Sequence, residues 1–368
     1  MKKALILLIG CFLIATCGQK TEKKSSEKAE VIPKQWLTFN SGNAEAKHVV
    51  LISGDEEYRS EEALPQLAKI LAGRHGFDCT VLFAQDPSKP GIINANYVEN
   101  IPGLDALNSA DLMIIFTRFR ALPDVQMEII DNYLKSGRPV IGIRTATHAF
   151  NFDSESNSNF KHYSNGYAGD KKEWVDGFGR LVLGEKWISH HGHHKHQSTR
   201  GILSEVGKSH PITNGIEDGD IWGSTDVYGV RLPLPGDSQP IIVGKVIDRE
   251  GAFVENDLFY GMRPTDNAVA TTNDKGILVN EIKMPIAWTK SYQIPGGREG
   301  KAFTSTIGAA SDLLNEGTRR LLINGVYWGM NMTIPVKADV RIVGDFEPTA
   351  YEFRDDAYWI KHEMPIKD

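Results

Sequence analysis

The chain has 368 residues, 41% hydrophobic and 24% charged, which is material for one large globular domain or two small ones. The formal net charge of −6 argues against a nucleic-acid partner, because phosphate binding needs a basic face.

The N-terminus reads as a targeting segment. Lys2 and Lys3 are basic, and residues 4–15 form an apolar run of signal-peptide length, too short to span a membrane comfortably. Ile14-Ala-Thr-Cys17-Gly18 resembles a bacterial lipoprotein cleavage box, which implies lipidation at Cys17. Thr16 departs from the small residue usual before that cysteine, and a plain cleaved signal is the alternative. The expected location is the cell envelope, on the periplasmic face of the outer membrane, with the lipid anchor as the membrane contact. Residues 1–17 are then the signal peptide and 18–34 a tether rich in Lys, Glu and Ser. With Cys17 lipidated, Cys79 is the remaining thiol and no disulfide forms within the chain.

Strand and helix patterns alternate after the tether. Residues 48–53 (HVVLIS) are a β-branched run, followed by a polar loop over 54–60. Leu64, Leu67, Ile70 and Leu71 recur at helical spacing until Gly73. Residues 79–83 and 112–116 read as strands, and Cys79 as a core residue of the first. Pro123 opens a helix with Val125, Ile129, Ile130, Tyr133 and Leu134 on one face, ending near Gly137. Residues 139–143 are a further strand. Residues 150–179 are polar and glycine-rich, an excursion over the active face with little core to contribute. Later strands are expected at 241–246, 285–289 and 301–306, and a helix at 315–328; residues 248–283 show no clear period. The aromatic residues after Pro335 suggest that 336–368 pack back on a body spanning 35–335. Fully apolar strands alternating with helices predict an α/β fold with a parallel sheet and helices on both faces.

On such a sheet, ligands bind beyond the carboxyl ends of the strands. Three of these ends carry chemistry: Gly54-Asp-Glu-Glu-Tyr-Arg59, Thr117-Arg-Phe-Arg120 and Arg144-Thr-Ala-Thr-His148. Gly223-Ser-Thr-Asp-Val-Tyr228 is similar in character. Glu56 or Glu57 suits a general base or a metal ligand. Arg59, Arg118, Arg120 and Arg144 suit an anionic or polyhydroxylated substrate, or neutralise the carboxylates nearby. Solvated polar loops are the alternative for any one of these segments.

Five of the eleven histidines fall within seven residues: His190, His191, His193, His194 and His196. The run admits a metal site, with His190 and His194 as two ligands and a carboxylate as a third, and zinc as the kind of divalent ion. It equally admits one histidine acting in acid/base chemistry, or a mobile surface loop. His196 is the first of the five to set aside. No Gly-rich phosphate loop, GxGxxG, CxxC or GxSxG motif is present, so no nucleotide cofactor is expected.

Several segments are familiar together. His210-Pro-Ile-Thr-Asn-Gly-Ile216, Pro285-Ile-Ala-Trp-Thr-Lys290, Gly300-Lys-Ala-Phe-Thr-Ser-Thr-Ile-Gly308 and Asn315-Glu-Gly-Thr-Arg-Arg-Leu-Leu-Ile-Asn-Gly-Val-Tyr-Trp328 resemble the ThuA-like (trehalose-utilisation) family over about residues 47–330. The resemblance implies a flavodoxin-like fold of the class I glutamine amidotransferase type. The corresponding elbow is Gly142-Ile-Arg144-Thr-Ala146, with arginine in the cysteine position, so glutamine hydrolysis by a thiolate is not expected. It also implies carbohydrate catabolism, of disaccharides or their 3-oxo derivatives. The strand-end residues themselves suit acid/base or metal-assisted chemistry, as in a glycoside-processing lyase, hydrolase or isomerase.

Position and chemistry supply the candidate residues. Glu57, His148, His191 and His194 are candidate acid/base groups. Tyr58, Arg59, Arg118, Arg144, Thr225, Asp226 and Tyr228 are candidate substrate contacts, and His190 and His194 candidate metal ligands. A non-catalytic sugar-binding lipoprotein is the main rival reading, and metal scavenging a second. Homo-oligomerisation stays open.

Overall fold

The apolar runs become the centre of a ten-stranded mixed sheet. A computed structural model describes Met1 and residues 33–367; the expectations for the signal peptide, for Cys17 and for most of the tether lie outside the described residues. The strands are β1 (Trp36–Phe39), β2 (His48–Gly54), β3 (Asp78–Phe83), β4 (Leu112–Thr117), β5 (Val140–Ile143), β6 (Gln197–Leu203), β7 (Trp222–Gly223), β8 (Gln239–Asp248), β9 (Met284–Tyr292) and β10 (Gly300–Ser305). Their order is β1-β3-β2-β4-β5-β10-β9-β8-β6-β7.

The stretch from β3 to β10 is parallel, as the apolar runs predict. The remaining strands pair antiparallel: β1 on one edge, and β9, β8, β6 and β7 as a wing on the other. Chain length explains part of the wing. Between β9 and β10 lie only residues 293–299, and a parallel crossover needs a dozen residues or more.

Side-chain alternation splits the central strands between two apolar layers. Val49, Leu51, Val81, Ile114 and Phe116 face one layer; Val50, Ile52, Leu82, Met113 and Ile115 face the other. Helix α1 (Ser60–His75) and helix α4 (Glu316–Gly329) cover the first layer through Leu64, Leu67, Leu321 and Leu322. Helix α2 (Asp124–Lys135) and helix α3 (Gly177–Leu181) cover the second. The α/β class with helices on both faces therefore holds. Helix α1 runs past Gly73 and stops at Gly76, whose φ of 73° suits glycine and whose N–H reaches the Leu71 carbonyl. At its start Glu61 and Glu62, and at its end Arg74 and His75, oppose the helix dipole. Helix α4 is capped by Asn315, whose side chain accepts from Thr318 N at 2.8 Å.

One segment differs from its sequence reading. Residues 150–179 contribute core after all: Phe150, Tyr163, Trp174 and Phe178 are buried as one aromatic group, with the Tyr163 and Trp174 rings 4.3 Å apart. Strand β6 has no apolar alternation because Ser198 and Thr199 are buried polar residues; Thr199 Oγ1 is satisfied by the Thr225 carbonyl at 2.6 Å. In the C-terminal segment Tyr351 and Trp359 are buried in the main apolar layer. No helix among the described residues is long and apolar enough to cross a membrane.

Candidate functional site

The carboxyl ends of β2, β4 and β5 converge on a cavity of about 400 Å³. Its wall includes Glu57, Tyr58, Arg118, Phe119 and His148 from these ends, and Trp187, His190, His194, Lys195 and Tyr228 from segments beside the wing. Glu352 and Phe353 of the C-terminal segment complete it.

Asp55 organises the first loop. Its Oδ1 accepts from the backbone N–H of Glu57 at 2.9 Å and from that of Tyr58, and its Oδ2 accepts from Thr145 Oγ1 at 2.6 Å. The loops after β2 and β5 are thus tied together. Of the two glutamates, Glu56 is consumed by ion pairs with Arg118 and Arg120, the latter at 2.8 Å. Glu57 faces the cavity. Burial and the neighbouring Asp55 push its carboxyl up to about 7.

Arg144 follows β5 at the elbow position with φ 48°, a left-handed backbone that a non-glycine residue adopts under strain. Two residues earlier, a Cβ on Gly142 would lie 2.5 Å from Leu183 Cδ1, so a side chain there would have to displace the buried Leu183. The Arg144 guanidinium is fully buried between the Tyr228 ring (3.8 Å) and the Tyr58 ring (4.4 Å). It donates to the carbonyls of Thr306 (2.6 Å) and Asp226 (2.9 Å), and to Asp226 Oδ1 and Tyr58 Oη, both at 3.2 Å. It is a support beneath the cavity rather than a group in it.

Asp226 is the hub. Its Oδ2 lies 2.8 Å from His190 Nδ1 and its Oδ1 3.1 Å from His194 Nδ1. Burial alone would raise this carboxyl. Hydrogen bonds from the two histidines, with the Arg144 charge, overcome that and hold it well below the usual carboxylate range. His194 Nε2 lies 3.4 Å from Glu57 Oε1, so this imidazole stands between two carboxylates. Burial outweighs the pull of Asp226 and lowers the pKa of His194. His148 is held neutral by burial and by the nearby Arg118 and Arg144 charges; its ring packs 5.0 Å from Phe119 and 5.6 Å from Trp187.

The histidine run separates by direction. Ser189–His190 pairs with Tyr228–Gly229, and the backbone N–H groups of His191 and Gly192 both donate to the Val227 carbonyl. His190 and His194 enter the cavity. His191 points away, with Nε2 3.3 Å from the Val279 carbonyl. His193 and His196 stack on each other at 4.1 Å, and His196 packs on Phe253.

Two other candidates also lie elsewhere. Arg59 reaches the carbonyls of Glu56 (2.9 Å) and Glu352 (3.2 Å) and stacks on Trp359. Thr225 donates to Asp312 Oδ2 at 2.7 Å beneath the site.

Sequence reasoning missed Asp55, Phe119, Trp187, Lys195, Glu352 and Phe353. Only the aromatic density of the tail hinted at the last. The Arg118 guanidinium lies between the Phe119 ring (4.5 Å) and the Phe353 ring (4.8 Å) at the mouth. The C-terminal segment is pinned there by Tyr351 Oη to the Ser224 carbonyl (3.0 Å) and by Thr349 to Glu62 (2.7 and 2.8 Å).

No family model and no curated protein matches the chain. Among solved structures it is similar to a protein described as ThuA-like from Parabacteroides merdae ATCC 43184, with 15% identity over 84% of this chain and 98% of that one and a TM-score of 0.45. A second, also described as ThuA-like, from Bacteroides uniformis ATCC 8492, has 14% identity over 78% and 93%, with a TM-score of 0.44. The exo-beta-1,4-mannosidase Op5Man5 from Opitutaceae bacterium strain TAV5 has 10% identity over 77% of this chain and 36% of that one, with a TM-score of 0.32. Likenesses of this size carry no inference about what this chain does.

Proposed function

We propose that the protein is a ThuA-like envelope lipoprotein of carbohydrate catabolism, and that the cavity acts on a disaccharide or 3-oxo-glycoside. One observation carries the reading: Glu57 and His194 face each other at 3.4 Å inside a cavity with aromatic walls. Trp187, Phe119 and Phe353 offer flat apolar surfaces to the C–H face of a sugar ring. Arg118 and Lys195 offer donors to its hydroxyls.

Reaction next to a carbonyl needs one group to take the adjacent proton and one to protonate the departing oxygen. His190 or His194 serves as the first and Glu57 as the second. His190 Nδ1 faces an acceptor-only carboxylate, so its proton belongs there and Nε2 is the basic atom. As the carbon–hydrogen bond breaks, its electron pair forms the new double bond, and the carbon–oxygen bond to the leaving group breaks. The base gains a proton and Glu57 gives one up. His148, neutral and against Trp187, orients a substrate oxygen.

The purified chain should turn over one member of a panel of trehalose and 3-oxo-glycosides, with products followed by NMR. Glu57→Gln should lower kcat by about 10²–10⁴ while the far-UV circular dichroism is unchanged. Binding without turnover would assign the cavity to ligand capture instead. Neither binding nor turnover would remove the carbohydrate reading.

A further inference from the structure

We propose that His190, His194 and Asp226 form a binding site for one transition-metal dication of the zinc class, open towards the cavity. The site shares its cavity with the proposed function, but its test needs no substrate.

The first argument is geometric. One ligand atom from each of the three residues lies within 4.8 Å of the others. Tetrahedral metal–nitrogen and metal–oxygen bonds of about 2.1 Å place ligands about 3.4 Å apart, so closing on an ion takes a shift of about 1 Å or less per group. Two histidines with one carboxylate, and a remaining position open to a cavity, is a donor set that catalytic metal sites use. The His190 and His194 side chains are 34% and 26% exposed, so the open side faces the cavity rather than the core.

The second argument is the outer partner. His194 meets carboxylate oxygens at both ring nitrogens, Asp226 at Nδ1 and Glu57 at Nε2. With an ion on the Asp226 side, Nδ1 is the ligand atom and Nε2 faces Glu57. Glu57 is then the outer carboxyl group that orients a ligating histidine.

The chemistry of the set selects the ion. Asp226 and Arg144 cancel in charge, so attraction comes mainly from two imidazole nitrogens. Nitrogen donors favour zinc or cobalt(II) over magnesium and calcium, which prefer oxygen. A bound ion would supply polarisation of a substrate carbonyl or activation of water.

The test uses the purified full chain stripped with a chelator and dialysed against zinc, cobalt(II) or magnesium. Wild type should retain about one zinc per chain and no magnesium. His190→Ala and His194→Ala should each weaken zinc binding by about 100-fold, of the order seen when a metal site loses a supporting group. The double variant His193→Ala/His196→Ala removes as many histidines from the same run and should change zinc affinity less than about twofold. His190 is partly exposed, so its variant is expected to fold; Asp226→Asn, which strands buried Arg144, serves only as a second check by cobalt(II) absorption. Failure of wild type to retain zinc overturns the inference, as does equal loss in the His193/His196 variant, which would mean surface chelation by the run. Sugar turnover by a chain that fails to retain zinc would sink the metal site and leave the proposed function standing. Zinc retention with no sugar activity would do the reverse.

Discussion

Arg144→Met is the sharpest test of how the site is built. The substitution keeps much of the aliphatic volume and removes the guanidinium. It leaves the buried Asp226 carboxylate without its arginine partner, and withdraws donors from the Thr306 and Asp226 carbonyls and from Tyr58 Oη. The two flanking tyrosine rings also lose a cation–π partner. Removing one member of a buried ion pair costs about 3–5 kcal/mol. Over roughly 335 described residues, about 2.1 cal/mol/K per residue gives an unfolding entropy near 0.7 kcal/mol/K, so Tm should fall by about 4–7 °C. Calorimetry or circular dichroism reads this directly. The Arg144→Met/Asp226→Asn double variant should be less destabilised than the sum of the single ones by about 0.5–3 kcal/mol, because no unpaired charge remains. A Tm drop under about 1.5 °C for Arg144→Met, or strict additivity in the double variant, would refute the view that this pair supports the cavity floor.

Other perturbations probe different parts. Gly179→Ala places a Cβ 1.9 Å from the Thr147 carbonyl oxygen, beside His148; Tm should fall by about 1–4 °C and ligand affinity with it, and unchanged values for both would show that this loop yields freely. Burial, then the Lys171 charge, holds His162 down to about 4, below its ordinary 6.5, so the folded state binds fewer protons than the unfolded one in that interval. Its contribution is full above pH 6.5 and is lost as pH falls towards 4, so wild-type Tm relative to His162→Asn should drop across that window and stay flat above it. Cys79 is buried on β3, and burial pushes its thiol well up. Mass spectrometry after alkylation at pH 8 should find it unlabelled in the native chain and labelled in denaturant; rapid native labelling would contradict the packing of the first apolar layer.

Much of the fold was readable because period and composition are local properties. The parallel strands β2 to β5 are buried on both faces, so their sequences are continuously apolar and announce themselves. The approximate extents of α1 and α4 follow from their apolar spacing, although α1 runs on from Gly73 to Gly76. The wing was less legible, since β6 fills its buried positions with Ser198 and Thr199, and the Thr199 hydroxyl is satisfied by the Thr225 carbonyl far along the chain. The aromatic layer of residues 150–179 hid for a related reason: its buried rings are spaced irregularly between glycines and polar residues.

The same division holds in the site. Sequence determined which residues lie at strand ends, and so placed Glu57, Tyr58, Arg118 and His148 together, because a parallel sheet sends every such end to one side. It determined that histidines crowd residues 190–196. Only the tertiary structure decided that His190 and His194 turn inward while His191, His193 and His196 do not. That choice rests on the ladder between Ser189–His190 and Tyr228–Gly229 and on Asp226, which lies more than thirty residues away in sequence. Only the fold, too, converted Arg144 from a candidate substrate ligand into a buried support, and brought Glu352 and Phe353 across the mouth. Direction and desolvation are set by what packs against a side chain, and the chain's linear order does not contain that information.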